Sequence, residues 1–322
     1  MTFAPCVVCG GREARFLFKG EDRLYFLKGS FDLYRCAGCG LVFVHPPLDE
    51  SGLAGYYPGD YYSYADSEKV SSGPPAPKKS YLFRPFAALN ALFYSKILRQ
   101  NADLPADRGS RVLDIGCGDG RYLLEKRKSG AVCFGVDIGA EGLHRLNRRD
   151  PEITTFCGNV WDAKLPADYF DVVNLCHVLE HVVEAGRLAD EIRRVLKPSG
   201  RLRAQVPNFA SLTAKLFGPH WMGLDVPRHV RVFSRKNLRN FFASHGFEVV
   251  SSRTIENSFG VIGSSVYLGN TLFKKRRRLM EMASFWDNEI VKALFIPYAL
   301  LVQGFGIGDS VEFILKKKGD GK

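Results

Sequence analysis

The sequence has no long uninterrupted apolar run, although 46% of its 322 residues are hydrophobic. A membrane-spanning helix requires such a run, so no segment is predicted to cross a bilayer. The first residues, MTFAPCVVCG, also lack a basic start followed by an apolar stretch. We therefore do not expect secretion, and the sequence favours a cytoplasmic protein. The length is sufficient for one large core and a smaller module.

Acidic residues are the minority among the charged ones. There are 34 Asp and Glu against 45 Lys and Arg, which gives a formal net charge of +11. This balance excludes no partner by itself, because it suits phosphate-bearing sugars, RNA and anionic membranes alike.

Disulfides are not indicated by the eight cysteines. Four of them lie in or beside predicted strands and turns, and these are Cys117, Cys133, Cys157 and Cys176. We interpret them as small buried side chains in a reducing compartment.

The other four cysteines form two CxxCG knuckles, CVVCG at 6–10 and CAGCG at 36–40. Each knuckle places two thiolates on one tight turn, and two such turns complete a closed tetrahedral zinc site. Cys6, Cys9, Cys36 and Cys39 are the predicted ligands of a zinc ribbon in residues 1–45. A closed site has no open position, so we expect a folding role. Two redox pairs, or a coincidence, are the alternatives.

The most informative segment is VLDIGCGDG at 112–120. The apolar residues 111–115 predict a buried parallel strand, and 121–129 predict a helix. Between them, Gly116, Gly118 and Gly120 allow a tight turn and a close approach of a ligand to the backbone.

The context of this turn favours one ligand. Its G-x-G-x-G spacing lacks the longer interval of the pyrophosphate fingerprint, and Asp114 would repel a phosphate. A second predicted strand, 133–138, contains Asp137, where an acid can bind both ribose hydroxyls. Together these residues resemble the S-adenosylmethionine site of class I methyltransferases. A dehydrogenase with a degenerate NAD loop is the alternative.

The resemblance extends over the following elements in family order: a helix at 141–149, strands at 153–157 and 169–175, a helix at 184–196 and a strand at 201–206. It implies an α/β fold with a Rossmann-like seven-stranded class I methyltransferase sheet, and places the loop 158–166 beside the adenine. It also implies a set of cofactor-binding residues, which are Asp114, Gly116, Cys117, Gly118, Gly120, Asp137, Ile138, Asn159, Asp162 and His177.

Three further segments complete the predicted organisation. Residues 46–108 read as a Tyr/Pro-rich linker and a cap helix, and 109–322 as the methyltransferase domain. A substrate insert is expected at 207–233. The segment 310–316 predicts a reversed final strand, and the long interval 257–308 before it must carry a helical insertion.

The whole chain resembles a bacterial group of polysaccharide, sugar and secondary-metabolite tailoring methyltransferases. This resemblance rests on the ribbon, CGLVFVHPP, YYPGDYY and LDVPRHVRVFS, and FDVVNLCHVLEHV resembles the ubiquinone-biosynthesis O-methyltransferases. It implies a small-molecule acceptor: a sugar, a sugar nucleotide, a lipid-linked glycan or a quinone-like hydroxyl. An RNA base methyltransferase and a non-catalytic S-adenosylmethionine-binding module are the alternatives.

Histidines are the candidate bases for the acceptor proton. His177 and His181 belong to HVLEHV, and His229 follows Arg228 in the insert. If HVLEHV is helical, His177 and His181 share a face, as in the zinc-protease signature that HVLEH matches. A divalent metal at Glu180 and His181, and a purely structural His181, are the other interpretations.

The segment 274–305 combines KKRRR with interrupted apolar stretches. This combination fits peripheral contact with an anionic membrane face, where a lipid-linked acceptor would be met. A lid or a dimer element with a solvated basic face is the alternative. Likewise, Arg228 either faces the acceptor or pairs with Asp225.

Overall fold

The structure is a computed structural model that describes residues 3–58, 104, 106–256, 258–274 and 289–319. The strands of these residues are β1 (Ala14–Gly20), β2 (Phe31–Cys36), β3 (Val42–His45), β4 (Arg111–Ile115), β5 (Val132–Asp137), β6 (Thr154–Cys157), β7 (Phe170–Cys176), β8 (Leu196–Pro207), β9 (Arg231–Val232), β10 (Phe247–Ile255) and β11 (Ser310–Lys317).

The α-helices of the described residues are α1 (Glu50–Ala54), α2 (Arg121–Lys128), α3 (Ala140–Arg149), α4 (Ala185–Val195), α5 (Leu212–Phe217), α6 (Arg235–Ser244), α7 (Ser258–Leu272) and α8 (Glu289–Gly304). No helix within the described ranges is long and apolar enough to cross a membrane.

Seven strands form the main sheet in the order β10-β11-β8-β7-β4-β5-β6. Strands β4 to β8 are parallel, and β11 is antiparallel to both of its neighbours. The central strands are buried on both sides, as shown by Val112 and Leu113, which are adjacent in β4, point to opposite faces and are both fully buried. Such strands are continuously apolar, which is why 111–115 could be identified from the sequence. The predicted seven-stranded sheet and its reversed last strand are confirmed.

A second sheet joins the N-terminal module to the insert after β8. Its order is β1-β2-β3-β9, and β9 pairs with β3 through Val42–Val232 and Phe43–Arg231. The side chain of Asn237, in α6, donates to the carbonyl of Cys39 at 2.8 Å. The N-terminal module therefore shares one sheet with the insert at 207–233.

The structure differs from the sequence-based expectations at several points. Residues 177–182 form turns rather than a helix, so the condition under which His177 and His181 would share a helical face is not met. The cause is local: His177 has φ of 55°, which no α-helix contains. Strand β8 begins at Leu196, whereas the sequence predicted this strand only from residue 201. The predicted cap helix at 81–100 and the basic residues 275–278 lie outside the described residues.

Candidate active site

The glycine turn after β4 has the conformation that only glycine adopts easily. Gly116 has φ of 72°, and a β-carbon there would lie 2.3 Å from Val178. Gly120 has φ of 74°, and its β-carbon would lie 2.3 Å from Leu146. Any other residue would be strained and would clash, so the turn holds its backbone open to a ligand.

This turn borders the larger of two neighbouring cavities, with a volume of about 400 Å³. That volume lies within the usual range of small-molecule sites. Six of the ten predicted cofactor-binding residues line it, and these are Gly116, Gly118, Asp137, Ile138, Asn159 and His177.

Asp137 is held at the end of β5 by backbone groups. Oδ2 accepts a hydrogen bond from Gly118 N at 2.8 Å, and Oδ1 accepts one from Gly139 N at 2.7 Å. Burial raises the pKa of Asp137, although these bonds oppose it. Each carboxylate oxygen retains a lone pair, so the group can still accept from two ligand hydroxyls.

The other four predicted cofactor residues are not among those that line this cavity, and these are Asp114, Cys117, Gly120 and Asp162. Asp114 is buried, accepts a hydrogen bond from Asn174 Nδ2 at 2.7 Å, and lies behind the turn. Burial raises the pKa of Asp114 to about 7, and it also raises the pKa of the Cys117 thiol. Asp162 is exposed. Asp114, Cys117 and Gly120 thus belong to the turn or the strand before it, whereas Asp162 lies on the loop after β6.

Two aromatic residues of the larger cavity were not assigned firmly from the sequence. Trp161 lines it, and the Arg187 guanidinium lies 4.5 Å from the centre of the indole ring. Tyr57, from the Tyr/Pro-rich stretch in 46–108, lines it as well. A tryptophan inside the loop expected beside the adenine is a signal that could have been used.

The smaller cavity has a volume of about 250 Å³. Among the described lining residues, only His177 and His181 border both cavities. The rest of its wall comes from distant parts of the chain, including Leu24, Met222 and Asp309. The two histidines therefore stand at the junction of two separate chambers.

His177 has both ring nitrogens engaged. Nδ1 lies 3.2 Å from Glu180 Oε1, and Nε2 lies 3.0 Å from Gln205 Nε2. A carboxylate only accepts, so Nδ1 carries the proton and Nε2 accepts from the amide. These bonds fix the ring between the cavities.

His181 and His229 form an edge-on pair with ring centres 4.5 Å apart. Nδ1 of His181 lies 3.2 Å from the carbonyl oxygen of Arg228 and 2.9 Å from the Tyr57 hydroxyl, while Nδ1 of His229 lies 2.8 Å from the carbonyl oxygen of Gly223. Carbonyl oxygens only accept, so each Nδ1 is protonated and each Nε2 keeps its lone pair. Burial, followed by the nearby His229, lowers the pKa of His181 to about 4.

Glu180 is fully buried beside these rings. Its Oε2 has no hydrogen-bond partner within the described part of the chain. Burial raises the pKa of Glu180, but the hydrogen bond from His177 and the neighbouring histidines outweigh it and hold the pKa below its usual range. Potential ligand atoms of Glu180, His181 and His229 lie within 4.8 Å of one another, a spacing that could hold a metal ion.

Arg228 is fully buried and does not face either cavity as a free cation. Its guanidinium binds Asp22 at 2.6 Å, Asp225 at 2.7 Å and the carbonyl oxygen of Tyr56 at 2.9 Å. These charges raise the pKa of Arg228, although burial opposes them. Of the two interpretations of Arg228, the structure therefore favours the pair with Asp225, and it adds an ion pair to the N-terminal module.

The four N-terminal cysteines converge away from both cavities. The Sγ atoms of Cys6 and Cys39, and those of Cys9 and Cys36, are 3.6 Å apart, and all four lie within 4.8 Å. Disulfide sulfurs lie at about 2 Å, whereas Zn–S bonds of about 2.3 Å in a tetrahedron place sulfurs about 3.8 Å apart. The donor set and spacing fit zinc.

Comparison with known proteins identifies the family to which this chain belongs. A family profile for methyltransferase domains matches residues 86–252. A probable S-adenosylmethionine-dependent methyltransferase of Mycolicibacterium smegmatis is 24% identical over 186 residues, which cover 57% of this chain and 69% of that protein. A ubiquinone biosynthesis O-methyltransferase of Nitrobacter winogradskyi is 30% identical over 180 residues, covering 51% and 68%.

Other relatives are matched over a smaller part. The chain spans 50% of the length of a ubiquinone biosynthesis O-methyltransferase of Klebsiella pneumoniae, at 32% identity. Among solved structures, an S-adenosylmethionine-dependent methyltransferase from Mesorhizobium loti has a TM-score of 0.47 at 17% identity, covering 70% of this chain and 98% of that one. The match of the family profile covers more than half of the chain. The chain therefore belongs to the methyltransferase domain family and is a class I S-adenosylmethionine-dependent methyltransferase.

Proposed function

We propose that the larger cavity binds S-adenosylmethionine and the smaller one binds a small-molecule acceptor with a hydroxyl group. The observation that carries this proposal is the junction at His177 and His181, which both cavities share. Methyl transfer is an in-line displacement, so donor and acceptor must approach from opposite sides of one point. Two chambers that meet at a pair of histidines suit that requirement.

On the donor side, the backbone of Gly116 and Gly118 would contact the amino-acid part of S-adenosylmethionine. The carboxylate of Asp137 would accept both ribose hydroxyls, and Asn159 and Trp161 would border the adenine. S-adenosylmethionine supplies the activated methyl group. In this proposal Asp114, Cys117 and Gly120 act through the shape of the turn, and the exposed Asp162 takes no part in binding.

On the acceptor side, His181 or His229 would accept the hydroxyl proton. Each has an Nε2 with no hydrogen-bond partner among the described residues and an Nδ1 that is anchored on a carbonyl oxygen. The lowered pKa of His181 keeps that ring neutral at physiological pH, so its lone pair is available. His177, with both nitrogens engaged, would position the reactants.

A metal ion at Glu180, His181 and His229 is the second candidate arrangement. The buried Oε2 of Glu180, without a partner among the described residues, favours it. Two imidazoles and a carboxylate are common ligands of divalent metals. When a histidine binds a metal through Nε2, its Nδ1 typically donates to a carbonyl oxygen or a similar acceptor. Elemental analysis decides: one zinc per chain, unchanged in His181→Asn, excludes this arrangement.

That one zinc would be held by Cys6, Cys9, Cys36 and Cys39, whose sulfur spacing matches a closed tetrahedral site. It would stabilise the N-terminal module and supply no chemistry.

A lipid-linked acceptor remains a specific form of the proposal. Helix α8 exposes Leu294 and Leu301, which lie seven residues apart on one face, and Phe305 follows directly after the helix; each is more than half exposed. An apolar face of this kind suits a membrane surface. If the protein does not float with vesicles containing anionic lipid, this form is excluded.

The experiment for the proposed function is a transfer assay with methyl-labelled S-adenosylmethionine and three sets of acceptors: nucleotide sugars, catechols and RNA. We expect transfer to a small molecule, and His181→Asn or His229→Asn should lower kcat by roughly 100-fold or more. His245→Asn, a change far from both cavities, serves as the control. Transfer to RNA alone, or cofactor binding without transfer to any acceptor, would contradict the proposal.

A further inference from the structure

The smaller cavity contains a carboxyl group that the proposed chemistry does not use, that of Asp309. This residue directly precedes β11, whose first residue, Ser310, pairs with Pro207 at the end of β8 and with Ile255 at the end of β10. Because β11 is antiparallel, its start lies at the carboxyl edge of the parallel strands, where ligands bind in such sheets. The reversal of the last strand thus brings an acid to the ligand-binding edge.

The two carboxylate oxygens of Asp309 have different surroundings. Oδ1 accepts hydrogen bonds from the Trp221 indole at 2.7 Å and from the Ser211 hydroxyl at 3.2 Å. Oδ2 lies against Gly260, where a β-carbon would be only 2.0 Å away, and both residues line the cavity. Oδ1 therefore fixes the side chain, and the missing β-carbon of Gly260 lets Oδ2 occupy its place at the cavity wall.

The charges of the cavity wall are the second observation. No Lys or Arg is found among the described residues that line it, in a chain of net charge +11. The other acid of this wall, Asp225, is neutralised by Arg228. Burial raises the pKa of Asp309 to about 6, so the group is ionised at a mildly alkaline pH. Such a wall repels anions and attracts N–H and O–H donors.

We propose that Asp309 recognises the acceptor, and that the part of the acceptor inside the smaller cavity carries an ammonium or hydroxyl donor and no phosphate or carboxylate. This inference rests on the proposed function and narrows its acceptor class. Apolar neighbours such as Leu24, Met222 and Phe259 would contact a hydrophobic ring or chain beside the polar group.

The test uses three catechols of similar size: dopamine, 4-ethylcatechol and 3,4-dihydroxyphenylacetate. Their affinities are measured by calorimetry at about pH 8, where Asp309 is ionised, with the protein saturated by S-adenosylhomocysteine. We expect dopamine to bind about tenfold or more tightly than the acetate, as for a hydrogen bond to a charged group. Asp309→Asn should abolish this preference, because it removes the charge but retains an oxygen acceptor for Trp221 and Ser211. Asp190→Asn, a surface change, is the matched control.

The outcomes separate this inference from the function on which it rests. If S-adenosylhomocysteine does not bind the unmodified protein, the proposed function fails and the inference fails with it. If it binds but the acetate binds as well as dopamine, the inference alone is overturned. The same holds if Asp309→Asn retains the preference, or if none of the three catechols binds. Unchanged affinity of Asp309→Asn for S-adenosylhomocysteine shows that the variant is folded.

Discussion

The two cavities differ in how the chain builds them. The larger cavity takes most of its wall from residues 115–188, the continuous part that carries the first four strands of the main sheet. The smaller cavity draws on residues from Leu24 to Ser310, including the N-terminal module, the insert after β8 and the start of β11. In the proposed function, the donor side is thus built mainly by the sheet, and the acceptor side by the segments added to it.

The prediction with the largest expected effect tests this difference between the two cavities by unfolding the N-terminal module. The module reaches the smaller cavity through Leu24, and its Asp22 binds Arg228. Cys36→Ser should remove zinc and lower methyl transfer by at least about 100-fold, because a structural zinc site contributes on the order of 10 kcal/mol to folding. Affinity for S-adenosylhomocysteine should change by less than about threefold, since the module supplies little of the donor side.

The control for this prediction is Cys157→Ser, an exposed cysteine outside the cluster, which should keep both zinc and transfer. Metal analysis, calorimetry and the transfer assay give the three readouts. Equal loss of cofactor affinity and transfer in Cys36→Ser would show that the two sides are not independent.

A second prediction concerns the donor side. Asp137→Ala should weaken binding of S-adenosylhomocysteine by about 3 kcal/mol, roughly 100-fold, through the loss of two hydrogen bonds to a charged group. Asp162→Ala should have no effect, because Asp162 is exposed and does not border the larger cavity. Calorimetry on both variants checks this. A loss in Asp162→Ala as large as that in Asp137→Ala would return Asp162 to the site.

The glycine turn and the strand ends around the larger cavity could be predicted from the sequence because their signals are local. An apolar strand followed by glycines at alternate positions identifies the turn at Gly116, and the chain direction then brings Asp137 to the same edge. The predicted class I sheet and the reversed last strand were confirmed for the same reason: each strand is a short apolar run between recognisable ends.

The acceptor side could not be predicted in this way, because its residues meet only in three dimensions. Arg228 lies beside Asp225 in the sequence, but its partner Asp22 is 206 positions away. HVLEHV matched a helical pattern, yet the positive φ of His177 turns the chain out of that conformation. Asp309 carried one usable signal: an acid directly before a reversed strand lies at the ligand-binding edge.

The prediction with the smallest expected effect concerns the buried Asp114. It asks whether this residue only supports the glycine turn or also contributes to its ligand-binding surface. Burial raises the pKa of Asp114 to about 7, above the value near 3.9 of an unfolded chain. The protonated form is therefore favoured by folding: its contribution to stability is complete below about pH 4 and is lost as the pH rises to about 7. Asp114→Asn cannot ionise and still offers an oxygen to Asn174, so it should be more stable than the unmodified protein by more than about 1 kcal/mol at about pH 8, and no more stable at about pH 4.

Urea unfolding at the two pH values measures this difference, and Asp171→Asn is the control of opposite sign. Burial raises the pKa of Asp171, but Lys197 and the backbone N–H of Arg111 outweigh it and lower that pKa, so its carboxylate stabilises the fold once ionised. Asp171→Asn should therefore lose stability at about pH 8 and not below its folded pKa. If Asp114→Asn also loses stability at about pH 8, the charge of Asp114 is needed by the turn. Asp114 would then contribute, together with Asp137, to the negative charge of the larger cavity and would not act only as a structural support of the turn.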